Sequence, residues 1–237
     1  MIENMMNAEN MSQKQIVLLA CGAFNPITRW HIKMFDLGRN ALLRKWNCQV
    51  VEGVLSPAAD AFGKKELASA THRLKMIELA TETSSWIRGD AYESSLKEWS
   101  RTLNVLRHHQ TELNRTHGQN AHVMLLCGAD LIDTFSRILD NGQPLWTPEH
   151  VEEIIRDFGI VAINRIGATA METLSKLKLR LSPEQMSNVI LVDDFEKEDV
   201  SSTMVRQRVK QGQPITDLTF EKVVNYIRDN HLYEATT

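Results

Sequence analysis

A chain of 237 residues, 43% of them hydrophobic and 24% charged, is long enough to bury a sizeable core as one α/β domain or two small ones. A net charge of −3 offers no bulk basic surface for nucleic acid, and no apolar run approaches the roughly 20 residues that span a bilayer. Three cysteines, Cys21, Cys48 and Cys127, are an odd number without metal-ligand spacing, so reduced, buried thiols and no protein-bound metal are expected.

Residues 1–15, with four Met and three Asn, read as a solvated tail. They carry neither the apolar core of a secretory signal nor the arginine-rich face of a transit peptide, which leaves an intracellular protein, cytoplasmic or nuclear, as the expectation. Residues 16–237 read as a single domain. Ile16 to Ala20 is apolar throughout, as a strand covered on both faces must be. Ile32, Phe35, Leu42 and Trp46 recur at helical spacing, and Gln49 to Leu55 is a second strand run that Ser56-Pro57 ends. Ala70, Leu74 and Ile77 stripe a helix, and Trp86 to Arg88 suits a short strand. By spacing, Trp99, Leu103, Leu106 and Leu113 form one apolar stripe, which places Trp99 in the core.

Asn114 to Ala121 reads as a loop, then His122 to Cys127 as the central strand. Asp140 to Pro148 is a second loop, followed by a helical face at Val151, Ile154, Ile155 and Phe158 and a strand from Gly159 to Ile163. Val189 to Val192 is the last strand, before two polar helices. Alternating strands and helices imply a doubly wound, Rossmann-like three-layer α/β domain with a mostly parallel sheet. In such a sheet, ligands bind beyond the carboxyl ends of the strands.

Four clusters sit at those ends. Cys21 to His31 (CGAFNPITRWH) opens a helix with a glycine, a proline, a Thr28 cap and a histidine in the first turn, beside backbone donors that favour phosphate. Read alone, it is equally a plain turn with a surface histidine. Ser201-Ser202-Thr203 and Arg206 make a second hydroxyl-rich helix start, or an ordinary cap with a solvated arginine. The loop after the second strand carries Asp60 and Phe62-Gly63-Lys64-Lys65, where Lys64 can serve as a mobile point charge on phosphate or simply as solvated charge. Gly128 and Asp130 follow the central strand, with Asp130 suited to ribose hydroxyls or, more simply, to a helix cap. No GxxxxGK[ST], GxGxxG or Gly-x-Ser-x-Gly occurs, which disfavours P-loop kinases, the usual dehydrogenases and α/β hydrolases.

Together these pieces resemble the eukaryotic nicotinamide/nicotinate mononucleotide adenylyltransferases, from about Ile16 to Tyr233. GAFNPITRWH is similar to the family's GSFNPITxxH and VSSTMVR to its ISSTKIR. SPAADAFGKK, LRHHQ, LLCGADL and the WIR…ES…EW…T stretch match in order. The resemblance implies transfer of AMP from ATP, with Mg²⁺, to nicotinamide mononucleotide and also to nicotinate mononucleotide, by a homo-oligomer without nucleic-acid or membrane partners. His31, Lys64 and Arg206 would be catalytic. Gly22, Ala23, Phe24, Gly128, Asp130, Ser202 and Thr203 would join His31 and Arg206 in binding ATP. Trp99, Thr102, Leu145, Trp146 and Arg165 would bind the mononucleotide, and in that role Trp99 stacks on the pyridine ring instead of filling the core.

Three positions depart from the pattern: Ala23 for Ser, Met204 for Lys, and Arg29-Trp30 before the histidine. Two rival readings follow. A transferase acting on another substrate, such as phosphopantetheine, would share the turn but leave SPAADAFGKK unexplained. A chaperone-like interaction module that has retired its site would explain Ala23 and Met204.

Overall fold

The computed structural model describes residues 14–62, 66–164, 169–193 and 200–235. The tail proposed for residues 1–15 therefore falls almost wholly outside the described residues, as do Lys64 and Arg165.

The apolar runs become six parallel strands: β1 Gln15–Gly22, β2 Gln49–Pro57, β3 Ile87–Gly89, β4 Ala121–Gly128, β5 Ile160–Asn164 and β6 Val189–Asp193. Their order in the sheet is β3-β2-β1-β4-β5-β6, with helices on both sides. The order reverses after β3, and β1 and β4 are the neighbours where it does. In a doubly wound sheet this switch point opens a crevice at the strand ends.

Two compact units make up the chain, each assembled from separated stretches. The first comprises the residues up to Leu19, Met34–Val51 and Thr102–Lys197. Here β1 pairs with β4 in the register Leu18↔Met124, and β4 with β5 in the register Leu126↔Val161. Helix α1 (Arg29–Trp46) runs close over these strands: a Cβ at Gly38 would meet Leu126 Cδ1 at 3.0 Å, Leu18 Cδ1 at 3.3 Å and Val161 Cγ1 at 3.4 Å. Glycine at this point lets the helix backbone come within one side chain of the sheet. Phe35 and Leu42 on the same stripe are fully buried. Helix α3 (Thr102–His117) buries Leu103, Val105 and Leu106.

The second unit comprises Ala20–Lys33, Glu52–Arg101 and Glu198–Thr237. It holds the turn after β1, the loop after β2, helix α2 (Ala70–Thr81), and the C-terminal helices α8 (Ser202–Lys210) and α9 (Glu221–Asp229). Thr219 donates its hydroxyl to the Ile27 carbonyl at 2.8 Å, and Arg29 N–H donates to the Leu218 carbonyl at 3.0 Å, so the C-terminal segment closes on the β1 turn.

Several boundaries differ from the sequence reading. Asn114 to His117 continues α3 instead of forming a loop, a 3₁₀ turn fills Gly118–Asn120, and β4 begins at Ala121. Polar residues on the exposed face of a helix carry no apolar period, which is why this stretch looked like a connection. Residues 151–158 split between α5 (Pro148–Glu153) and a π-turn (Ile154–Phe158), ended by Gly159 at φ 74. That left-handed residue cannot open a strand, so β5 starts one residue later. Two short helices, α6 (Ala170–Lys176) and α7 (Pro183–Met186), had no periodic signal. Helix α4 (Ala129–Asp133) completes the set. Among the described residues, no helix is long and apolar enough to cross a membrane.

Phe35 fills the space between α1 and the sheet, and its loss leaves a large void. Phe35→Ala is expected to lower unfolding free energy by about 3–5 kcal/mol in a urea titration.

Candidate active site

The turn after β1 cannot hold its shape from local preference alone. Phe24 lies at φ 44, a left-handed conformation that a residue with a bulky side chain adopts only when its surroundings enforce it. The surroundings do so with hydrogen bonds to carbonyls on either side of it. The Gly22 carbonyl accepts Ala58 N–H at 2.9 Å, and the Ala23 carbonyl accepts Arg73 Nη1 at 2.9 Å. The Asn25 carbonyl accepts Arg206 Nη1 at 2.8 Å, and the Pro26 carbonyl accepts the Ser202 hydroxyl at 2.7 Å. The Asn25 side chain ties the turn to the following loop: its Nδ2 donates to the Glu66 carbonyl, while its Oδ1 accepts Ala68 N–H and the Tyr233 hydroxyl.

His31 lies in the first turn of α1. Its Nδ1 accepts the Thr28 backbone N–H at 3.0 Å, with the Thr28 hydroxyl 2.7 Å from the same nitrogen. A backbone amide can only donate, so Nδ1 is the acceptor and the proton of the neutral ring is on Nε2. The edge contact with Phe24, at 5.1 Å between centroids, fixes the ring from a second side. A Cβ at Gly22 would meet the Phe24 ring at 3.3 Å, so Gly22 makes room for that ring.

At the start of α8, Ser201 is the cap and accepts Met204 N–H at 3.2 Å. Ser202 already donates to the turn, and Thr203 is exposed, with Arg206 Nη2 at 3.4 Å from its hydroxyl. Arg206 Nε is buried with no hydrogen-bond partner among the described residues. A buried, unpaired guanidinium donor is costly, and an anion is the chemical partner that would satisfy it. The departures Arg29-Trp30 serve structure. Arg29 packs over the Phe220 ring at 5.1 Å, and Trp30 is buried.

In the first unit, Gly128 is itself the cap of α4 and Asp130 is the second residue of the helix, so the expectation of an Asp130 cap is corrected. The Asp130 carboxylate folds back over Gly128 and occupies the space a Cβ would need there. It is exposed, which suits an acceptor of ligand hydroxyls. Asp133 anchors the helix from its far end, accepting the Thr169 N–H and the hydroxyls of Thr169 and Thr173. The loop ahead of α5 closes through Leu145 N–H to the Arg137 carbonyl, then presents Trp146, whose Nε1 donates to the Thr134 hydroxyl and whose ring packs 4.9 Å from Phe135. Thr102 is the first residue of α3.

Trp99 overturns the stripe reading. It precedes α3, and it is 42% exposed, with the Arg101 guanidinium 5.5 Å from its ring centroid. Cys48 and Cys127 are buried free thiols as expected, whereas Cys21 is only half-buried.

Sequence reasoning missed Arg73, Asn25 and Tyr233 as parts of this unit. Arg73 had a readable signal: it lies on the same face as Ala70 and Ile77, where a charge must find partners. It also missed Glu93. This carboxyl is buried, accepts the Ser56 hydroxyl at 2.8 Å, and is pushed by desolvation up to about 7, against the opposing pull of Ser56 and of the Arg73 charge.

A parallel sheet with a switch point, and a turn after its first strand that leads into a first-turn histidine, frame the candidate site. The chain belongs to the cytidylyltransferase-like family, whose model matches residues 19–208. Within it, the chain is a member of the nicotinamide/nicotinic acid mononucleotide adenylyltransferases. It is 36% identical to nicotinamide/nicotinic acid mononucleotide adenylyltransferase 2 of Caenorhabditis elegans, over 93% of this chain and 99% of that protein. It is 34% identical to nicotinamide/nicotinic acid mononucleotide adenylyltransferase 1 of Bos taurus, over 96% of this chain and 92% of that one. The fold matches Plasmodium falciparum nicotinic acid mononucleotide adenylyltransferase complexed with NaAD, with a TM-score of 0.64 at 21% identity, covering 92% of this chain and 97% of the other.

Glu93 gives this unit a pH dependence. Below its ordinary value of 4.5 the carboxyl is protonated folded or unfolded; between 4.5 and about 7 only the unfolded chain ionises it, so stability falls as pH rises through that window. Glu93→Gln is expected to match the parent at pH 4 and to exceed it at pH 8 by on the order of 3 kcal/mol, read from urea midpoints.

Proposed function

We propose that this chain transfers AMP from ATP to nicotinamide mononucleotide, and to nicotinate mononucleotide as well, forming NAD or its deamido form and releasing pyrophosphate. The observation that supports this reading most is the His31 ring. Thr28 holds it from the Nδ1 side with its proton on Nε2, against the Phe24 ring, in the turn whose Asn25 carbonyl binds Arg206. Membership of a family whose relatives carry this activity in their names, across nearly the whole chain, gives the arrangement its substrates.

In the reaction, a phosphate oxygen of the mononucleotide attacks the α-phosphorus of ATP, a new P–O bond forms, and the bond to the bridging oxygen breaks to release pyrophosphate. The attacking phosphate is already ionised near neutral pH, so neither a general base nor a protein nucleophile is required. What the protein supplies is alignment and countercharge. His31 Nε2–H, the Arg206 guanidinium and Lys64 act on the phosphates, with the amides of Ala23 and Phe24 beside Gly22. Ser202 and Thr203 add hydroxyl contacts; Ser202 must exchange its bond to the Pro26 carbonyl to do so. Gly128 and Asp130 bind the adenosine ribose.

Trp99, Thr102, Leu145, Trp146 and Arg165 bind the mononucleotide. An exposed indole such as Trp99 is available to a cationic pyridine ring, a contact of about 1 kcal/mol or more once desolvated. Among the described residues, no three His, Cys, Asp or Glu side chains converge to hold a metal. Mg²⁺ enters as part of the MgATP substrate, held by the ATP phosphates. The reading extends to an intracellular homo-oligomer, which light scattering tests directly.

Incubation with MgATP and nicotinamide mononucleotide, coupled to an NAD-linked dehydrogenase, is expected to show NAD formation. His31→Ala should reduce turnover by about 100-fold or more while leaving the melting temperature and mononucleotide affinity near those of the parent. ATP binding without any product from the parent chain would favour the interaction-module reading, with Met204 and Ala23 as marks of a retired site.

A further inference from the structure

We propose that Arg73 is a positioning residue for this transfer: by holding the Ala23 carbonyl from behind, it keeps Phe24 in its left-handed conformation and turns the Phe24 amide outward to phosphate, beside the Ala23 amide that Ala58 turns the same way. This inference rests on the function proposed above and adds a residue that acts without touching substrate. Arg73 is fully buried in α2 and spends its guanidinium on four acceptors from three loop segments. Nε donates to the Ala68 carbonyl at 2.8 Å, Nη1 to the Ala23 carbonyl at 2.9 Å, and Nη2 to the Ala58 carbonyl at 2.6 Å and to Asp60 Oδ1 at 3.1 Å. A buried arginine that binds three main-chain carbonyls is organising backbone, since its one carboxylate partner is more than half exposed.

The direction of the effect follows from peptide geometry. In a planar trans peptide, the N–H points opposite to the C=O. Ala58 N–H draws the Gly22 carbonyl inward, so Ala23 N–H faces the other way; Arg73 draws the Ala23 carbonyl inward, so Phe24 N–H does the same. Arg206 holds the Asn25 carbonyl, two residues on. Phe24, at φ 44, is thus clamped between two guanidinium groups. A lysine at position 73 could reach one of these carbonyls but could not span them, because it presents its donors from a single point.

Arg73→Lys is the test, with Asp60→Asn as its control. The control removes the ion pair and keeps an amide oxygen able to accept from Arg73. We expect Arg73→Lys to bind ATP at least tenfold more weakly and adenosine within twofold of the parent, and to lower kcat at least tenfold. Asp60→Asn should retain parent turnover within about twofold. Arg73→Lys with parent ATP affinity and turnover would overturn the proposal, and so would equal losses for ATP and adenosine, which mark a purely structural role.

A second measurement needs no variant and covers the case in which Arg73→Lys does not fold. In ¹H–¹⁵N spectra of the parent chain, pyrophosphate should move the Ala23 and Phe24 amide resonances and adenosine should not; unmoved amides would refute the outward orientation. A parent chain that shifts these amides with pyrophosphate yet makes no NAD would sink the proposed function and leave the role of Arg73 in place.

Discussion

A single unfavourable dihedral organises half of this molecule. A bulky residue in the left-handed region costs on the order of 1–3 kcal/mol, and Phe24 persists there because its neighbours over-determine it. Arg73 and Arg206 take the flanking carbonyls, Ser202 takes the carbonyl of Pro26, and Tyr233 reaches the Asn25 side chain. The burial of these groups raises the stakes. A buried guanidinium or phenol must be paired, and each pairing here ends on the same few residues. Burial drives the Tyr233 hydroxyl well above the usual phenol range even with both arginines opposing it, so it stays a donor.

The proposed chemistry divides along the same line. Charged and backbone groups near the Phe24 turn serve phosphates, whose charge is diffuse and needs several weak donors held still. The aromatic groups, Trp99 and Trp146, serve a ring. Trp146 is held by a hydrogen bond and an aromatic neighbour, whereas Trp99 stands 42% exposed. Met204 illustrates how a departure from a family pattern is absorbed: its backbone N–H completes the α8 cap regardless of its side chain, while in the proposed reaction the cationic work falls to Arg206 and Lys64.

The layers of the fold were legible because they are written in period. Ile16 to Ala20 and His122 to Cys127 are apolar at every or nearly every position, as strands sandwiched by helices must be, and Phe35, Leu42 and Trp46 carry the α1 face. Period also misled. Trp99 sits four residues before Leu103 and so matches the α3 stripe, yet the helix starts only at Thr102. Apolar spacing cannot tell a side chain on a helix from one that merely precedes it. The motif residues His31, Ser202 and Arg206 were legible by resemblance. Their supports were not, because Arg73 and Tyr233 act through hydrogen bonds to residues 50 and 208 positions away. Glu93 was hidden for a similar reason: its burial is a property of the folded unit and leaves no trace in local composition.

The interleaving of the chain has a consequence for its synthesis. Ala20–Lys33 belongs to the same compact unit as Glu198–Thr237, so the segment bearing His31 is made well before its fasteners. Ile27 waits for Thr219, the Asn25 carbonyl for Arg206, and the Asn25 side chain for Tyr233. A stop codon between β6 and α8 therefore yields a chain with its strands encoded and its turn unfastened. Such a product carries the six strands with a slack turn, and a lesion at the Arg206 codon would be felt at residue 25.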